Sequence, residues 1–206
     1  MTPLHRALNI PEGMDVNVAV KAFQAAHGLV ADGIAGPKTW AAIWSTFGIV
    51  EGEPMRHVQG RTRPIAYAVQ HHSDSSTVAG MVRALNGTKP KSTHFSVDKD
   101  GTKQLHLDPV FFVAWHCPGA NLSSVGIDVI HRRGESYSPA QIKACGELHR
   151  DLARIFGYPA VVHVGKVSKG ADGQVAPSSA VGIYEHGQIQ ATRCPDGFPT
   201  AEAVNG

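Results

Sequence analysis

Ile65-Ala66-Tyr67-Ala68-Val69-Gln70-His71-His72-Ser73 is an apolar run that stops on a pair of histidines. Its length and its β-branched, aromatic and small residues predict a strand over 65–71 that delivers an imidazole at its end. Successive strand side chains point to opposite faces, so His71 and His72 cannot easily serve one common ion.

Working outward from that strand, helix and strand patterns alternate. Residues 77–85 have helical spacing at Val78, Met81, Val82 and Leu85. The segments 93–97 and 103–107 flank Lys99-Asp100-Gly101, a hairpin turn signal. Residues 125–131 read as a further strand. Ser138-Pro139 opens a helix, with serine as cap and proline in the first turn; Cys145, Leu148, Leu152, Ile155 and Phe156 mark its buried face up to Gly157. A strand at 160–164, a loop rich in Gly, Ser and Lys at 165–180 and a strand at 181–185 complete the series. Such alternation implies an α/β fold over 64–206, a mixed central sheet flanked by helices.

The first 47 residues read differently. Val16, Val18, Val20 and Phe23 introduce a helix that ends near Gly28. Turns follow at Asp32-Gly33 and Gly36-Pro37, and a last helix from Lys38 carries Trp40, Ile43 and Trp44. Glycine closing one helix and proline opening the next is the expected asymmetry, so 1–47 is predicted to be a compact helical domain. Residues 48–63 contain Glu51-Gly52-Glu53-Pro54 and Arg61-Thr62-Arg63-Pro64, lack sustained periodicity, and read as a linker.

A length of 206 residues suits one small and one medium domain. The net charge of +2, without long runs of one sign, argues against a nucleic-acid partner. Three cysteines without a CxxC pair argue against a disulfide framework; Cys145 fits a helix core and Cys117 a free thiol. No apolar stretch at the start resembles a signal peptide, and 110–115 is too short to span a bilayer. The expectation is a monomer made in the cytoplasm, without membrane insertion.

Most of the twelve histidines need only ordinary explanations. His186, however, is followed eight residues later by Cys194-Pro195. With His71 these residues supply two imidazoles and one thiolate, three of the four ligands zinc prefers, and leave a position for water. That is the composition of a catalytic rather than a structural site. His163, after Val161-Val162, also ends an apolar stretch and rivals His186 as the second imidazole.

Two resemblances follow from these motifs. Phe23-Gln24, Gly28-Leu29, Asp32-Gly33, Gly36 and Thr39-Trp40 resemble the pattern of small three-helix peptidoglycan-binding modules. From Ile65 to Pro195 the chain resembles the zinc-dependent N-acetylmuramoyl-L-alanine amidases, which share a fold with peptidoglycan recognition proteins and short phage lysozyme-type amidases. The blocks are Val69-Gln70-His71-His72-Ser73, Ser92-Thr93-His94-Phe95 with Asp100-Gly101-Thr102, Ala114-Trp115-His116, Ser124-Val125-Gly126-Ile127-Asp128, and His186 to Cys194-Pro195.

The resemblance implies that His71, His186 and Cys194 hold Zn2+, with His186 preferred to His163 because Cys194-Pro195 follows it at the family's spacing. It implies hydrolysis of the amide between N-acetylmuramic acid and L-alanine. Asp128, where many relatives carry glutamate, would move the proton. Thr93 stands where other members use a catalytic tyrosine and is counted with the substrate contacts. Thr192 would donate to the oxyanion, Arg193 would meet a substrate carboxylate, and Trp115 and His116 would line the groove. His94 is expected beneath the site, and His106 and His131 on the surface. The 165–180 loop becomes an insertion beside the groove. The whole reads as a phage endolysin that acts on the cell wall, with a non-catalytic peptidoglycan receptor as the alternative.

Overall fold

The computed structural model describes residues 1–170, 172–175 and 182–206. Its helices and strands are α1 (Pro3–Ala7), α2 (Val16–Ala26), α3 (Pro37–Thr46), β1 (Ile49–Glu51), β2 (Val58–Gly60), β3 (Tyr67–His72), α4 (Val78–Leu85), β4 (Phe95–Val97), β5 (Lys103–Leu105), β6 (Phe112–Ala114), β7 (Ser124–Val129), α5 (Pro139–Phe156), β8 (Ile183–Glu185), α6 (His186–Ile189) and α7 (Thr200–Asn205). Among the described residues one sheet runs β1-β5-β4-β7-β3-β8 and a second pairs β2 with β6. The large sheet is mixed: β4, β7, β3 and β8 are mutually parallel, and β5 is antiparallel to β4. The α/β architecture expected from the alternation is therefore present, and β3, which carries His71, lies between β7 and the edge strand β8.

The two faces of the sheet have separate tasks. Ala68, Phe95, Val97, Val125, Ile127 and Val129 pack with Leu148, Leu152 and Ile155 of α5 in one apolar cluster. α5 starts where Ser138-Pro139 predicts. Gln141 N donates to Ser138 Oγ (3.0 Å), and Ser138 N donates to Gln141 Oε1 (3.0 Å). It ends at Gly157, whose φ of 78° closes the helix. The opposite face carries Tyr67, Val69 and Tyr184, which pack with Cys117, Ala120 and Ile189. His71 and Asp128 stand beside each other in the β3–β7 ladder, at the end of this second face.

The expected linker is corrected. Residues 48–63 hold β1, which joins the edge of the large sheet parallel to β5, and β2, which pairs antiparallel with β6. Strands of three residues are too short to show an alternation, and here no hairpin turn signal like that between β4 and β5 flanks them. The helical segment is also fastened on: Ala7, Trp40, Ile43 and Trp44 belong to the same apolar cluster as α5 and the sheet. Trp44 meets Phe95 edge-on at 5.5 Å and donates from Nε1 to Asp108 Oδ2 (3.1 Å). Arg154 of α5 donates to Arg6 O (2.7 Å) and Asn9 Oδ1 (3.0 Å).

Within that segment Gln24 explains its own motif. Its buried amide donates to Asp32 Oδ1, Ile34 O and Thr39 Oγ1 and accepts from Gly33 N, so one side chain holds the Asp32–Thr39 turn together. At 160–164 the expected strand is reduced to a single bridge, Val162 to Ile183. Val181 and part of the 165–180 loop lie outside the described residues. Among the described residues no helix is long and apolar enough to cross a membrane.

Candidate metal centre and catalytic cleft

β3 and the start of α6 bring two imidazoles together from 115 residues apart. His71 Nδ1 lies 3.1 Å from His186 Nδ1, and Cys194 Sγ lies 3.8 Å from His71 Nδ1. The ligand atoms of His71, His186 and Cys194 all fall within 4.8 Å of one another, and among the described residues this is the group of histidine, cysteine and carboxylate side chains so arranged. A tetrahedral cation with bonds of about 2.0 Å to nitrogen and 2.3 Å to sulfur would separate such atoms by about 3.3–3.6 Å. The donor set therefore fits a metal. His163 is not in this group; its ring stacks near Tyr184 at 5.0 Å.

The outer atoms of the two histidines are fixed as well. His186 Nε2 lies 3.0 Å from Gln190 Oε1, one helical turn on. His71 Nε2 lies 3.0 Å from His116 Nδ1, and His116 Nε2 lies 3.0 Å from Ser124 Oγ, which donates to Ala120 O (2.7 Å). With His71 Nδ1 turned to the ligand cluster, the proton sits on Nε2. Each member then donates to the next, and both ring tautomers follow.

Two glycines make this packing possible. A Cβ on Gly126 would lie 2.6 Å from the His116 ring, so only glycine lets that ring rest on β7. A Cβ on Gly187 would lie 2.8 Å from Cys194 O and 2.9 Å from Thr192 O, so glycine is needed for the cysteine loop to close on the His186 turn. Gly187 N donates to Cys194 O at 2.6 Å.

Burial, followed by His116 and His186, holds His71 well below the usual histidine range, and burial depresses His186 too. Both are thus neutral and able to act as ligands. Burial pushes the Cys194 thiol up, while His72 N, which donates to Sγ (3.2 Å), acts the other way. Burial raises Asp128 to about 6, against the effect of the Thr93 hydroxyl.

His71, Asp128, His186 and Cys194 line a cleft of about 500 Å³, with Trp115, His116, Pro118 and Asn121 along one wall. Met81 and Leu85 of α4 contribute apolar surface, and Lys91 and Arg133 bring positive charge. Thr192 also lines the cleft, and its Oγ1 accepts from Cys194 N (3.2 Å).

Other expected site residues fall elsewhere. Thr93 is fully buried, with its hydroxyl beside the Asp128 carboxyl and within reach of Gly126 O (3.1 Å) and Phe95 O (3.2 Å), so it sits beneath the cleft and not in its lining. Arg193 is exposed and is not part of the cleft lining. His94 does sit beneath the site, where burial drives it to about 3 and Gly126 N donates to its Nδ1. His106 and His131 are buried, not superficial: His106 is bonded to Ser96 Oγ and Glu53 O, and His131 stacks on Tyr137 at 3.9 Å.

Gln190, Ser124, Gly126 and Arg61 also shape the site, although their roles do not follow from the sequence motifs. Gln190, four residues after His186, was discoverable from helical spacing. Arg61, within the expected linker, donates to Pro109 O, Leu122 O and Ser124 O and ties the loops beneath the site.

The family model described as N-acetylmuramoyl-L-alanine amidase matches residues 61–197, and one for a peptidoglycan binding domain matches residues 13–43. No curated protein sequence matches the chain. Among solved structures, the N-acetylmuramoyl-L-alanine amidase LysC from Clostridium intestinale URNW is 21% identical with a TM-score of 0.55, covering 76% of this chain and 95% of its own. A mutant endolysin from Bacillus subtilis is 19% identical with a TM-score of 0.52, covering 77% and 98%. The Ph2119 endolysin from Thermus scotoductus MAT2119 bacteriophage Ph2119 is 18% identical with a TM-score of 0.50, covering 71% and 88%.

Proposed function

This chain belongs to the N-acetylmuramoyl-L-alanine amidase family, and from that membership we propose a zinc hydrolase that separates the stem peptide from the glycan of bacterial peptidoglycan, working as a phage endolysin. The observation that carries this reading is the convergence of His71, His186 and Cys194 in a cleft that also presents Asp128. Zinc held by those three residues would supply Lewis acidity, lowering the pKa of a water and polarising the scissile carbonyl.

The remaining work belongs to the chain's own side chains. Asp128 takes a proton from the attacking water and returns it to the departing L-alanine amine. The Thr192 oxygen is occupied by Cys194 N, which leaves its hydroxyl proton to donate to the developing oxyanion. Trp115 and His116 contact the substrate from the cleft wall. His116 has a second duty, since it orients the His71 ring. Thr93 supports Asp128 from beneath, and Arg193 is left without a part in catalysis.

Residues 1–47 are assigned to wall binding. They carry a groove of about 560 Å³ bounded by Leu29, Val30, Ile34 and Pro37. Residues 64–206 carry the chemistry, with 48–63 fastening one unit to the other. A single copy holds every group this reading uses.

Mass spectrometry of the soluble products from purified peptidoglycan tests the proposal. Stem peptides with a free L-alanine amine are expected with zinc-loaded protein and not after chelation. Retention of the polymer without peptide release would mark a binding protein instead.

A further inference from the structure

Beyond Trp115 the catalytic cleft continues into a second groove of about 280 Å³. Trp115, Pro118 and Asn121 line both, so the indole, 41% exposed, forms the ridge between them. Gln59 on β2 and Gln174 form the polar part of the second groove, with Val113 and Leu122 as its apolar part. Gln59 stands opposite Val113 in the β2–β6 ladder. Neither glutamine amide has an intramolecular hydrogen-bond partner among the described residues. Gln59 precedes the segment matched by the amidase family, and Gln174 belongs to the loop after α5.

Charge divides the two compartments. Lys91 and Arg133 line the catalytic cleft, whereas among the described residues no charged side chain lines the second groove; Lys169, at its edge, is held on Pro118 O (3.1 Å). The substrate of the proposed reaction is divided in the same way: a peptide arm with free carboxylates and a glycan arm of neutral N-acetylated sugars meet at the scissile amide. We propose that the second groove is a subsite for the glycan strand, holding the sugar beyond the muramoyl unit.

The inference rests on the amidase reading. An indole face suits the apolar face of a pyranose ring, and a glutamine amide, with two donors and an acceptor, suits hydroxyl and N-acetyl groups. Cations on the far side favour the peptide's carboxylates there. A strand lying across the Trp115 ridge brings the muramoyl amide over His71, His186 and Cys194.

The test compares Gln59→Ala/Gln174→Ala with the unchanged protein on two soluble substrates, glycan strands of several disaccharide repeats and a single N-acetylmuramoyl tripeptide. The expected result is a loss of about tenfold in kcat/KM on strands, from two lost hydrogen-bonding amides, and less than about twofold on the single sugar. Equal losses on both substrates, or no loss on strands, overturn the subsite. Absence of peptide release from either substrate by the unchanged protein would refute the amidase reading instead. The subsite is then judged by tryptophan fluorescence during titration with an N-acetylglucosamine tetramer: a response lost in the double variant supports it, and no response, or one that persists undiminished, overturns it.

Discussion

Asp128 and Gly126 sit two residues apart on one strand, and substitution of each tests a different part of the centre. Asp128→Asn keeps shape and removes the carboxylate, so turnover is expected to fall by at least about 100-fold while bound metal is retained. Parallel activity and metal assays check this; near-normal turnover would remove Asp128 from the mechanism. Gly126→Ala introduces a carbon 2.6 Å from the His116 ring. The ring must move, and His71 Nε2 then loses its acceptor. Metal affinity should drop by about 10–100-fold, as for other losses of a ligand's outer partner, which competition with a chelating dye measures.

At the scale of elements, β3 is held from its other side by α5. Gln70 donates to His71 O (2.7 Å), and its Oε1 accepts from His149 Nε2 (2.8 Å) and Cys145 Sγ (3.0 Å). Burial keeps His149 neutral down to about 3, whereas in the unfolded chain it protonates near 6.5. Between those values the unfolded state binds the extra proton. Stability contributed by this residue is therefore complete above about pH 6.5 and declines as the pH falls, by about 2 kcal/mol at pH 5. His149→Gln should flatten the acid limb of a denaturant-stability profile by that amount; an unchanged slope would contradict the buried, neutral histidine.

The long periodic elements were legible in the sequence for the same reason that they are stable. β3 and β7 are apolar runs, and the 3.6-residue spacing of Cys145, Leu148, Leu152 and Ile155 on α5 stands out with its Ser138 cap. β1, β2 and β6 were not legible: three residues cannot display a period, and no turn signal marks them as Lys99-Asp100-Gly101 marks the equally short β4 and β5. The cluster of His71, His186 and Cys194 was readable from residue type only with His163 as a rival to His186; the choice came from the family resemblance, in which Cys194-Pro195 follows at the right spacing. The His116–Ser124 chain was not, since it joins residues whose proximity exists only after β7 and the Trp115 segment are packed together. Thr93 shows the converse: a position that matches a family block lies beneath the site, buried under Asp128.

Over the whole molecule, the helical segment is part of the enzyme's core and not a tethered appendage. Trp44 is almost fully buried between Phe95, Phe47 and Phe156. Its loss also leaves Asp108 without its indole donor; burial already raises that carboxyl to about 6. Trp44→Ala should cost about 3–5 kcal/mol, measured by denaturant unfolding, and removal of residues 1–47 should leave a chain that fails to fold. A truncated chain that unfolds cooperatively with unchanged stability would show that the two units are separable.

Everything proposed for the cleft depends on His71, His186 and Cys194 forming one metal site. Zinc per chain, measured by elemental analysis after dialysis against trace metal, tests it most directly across His71→Ala, His186→Ala, Cys194→Ala and His163→Ala. One zinc per chain is expected in the unchanged protein and in His163→Ala, and loss of zinc in the other three. Zinc retained by His186→Ala and lost from His163→Ala would contradict it.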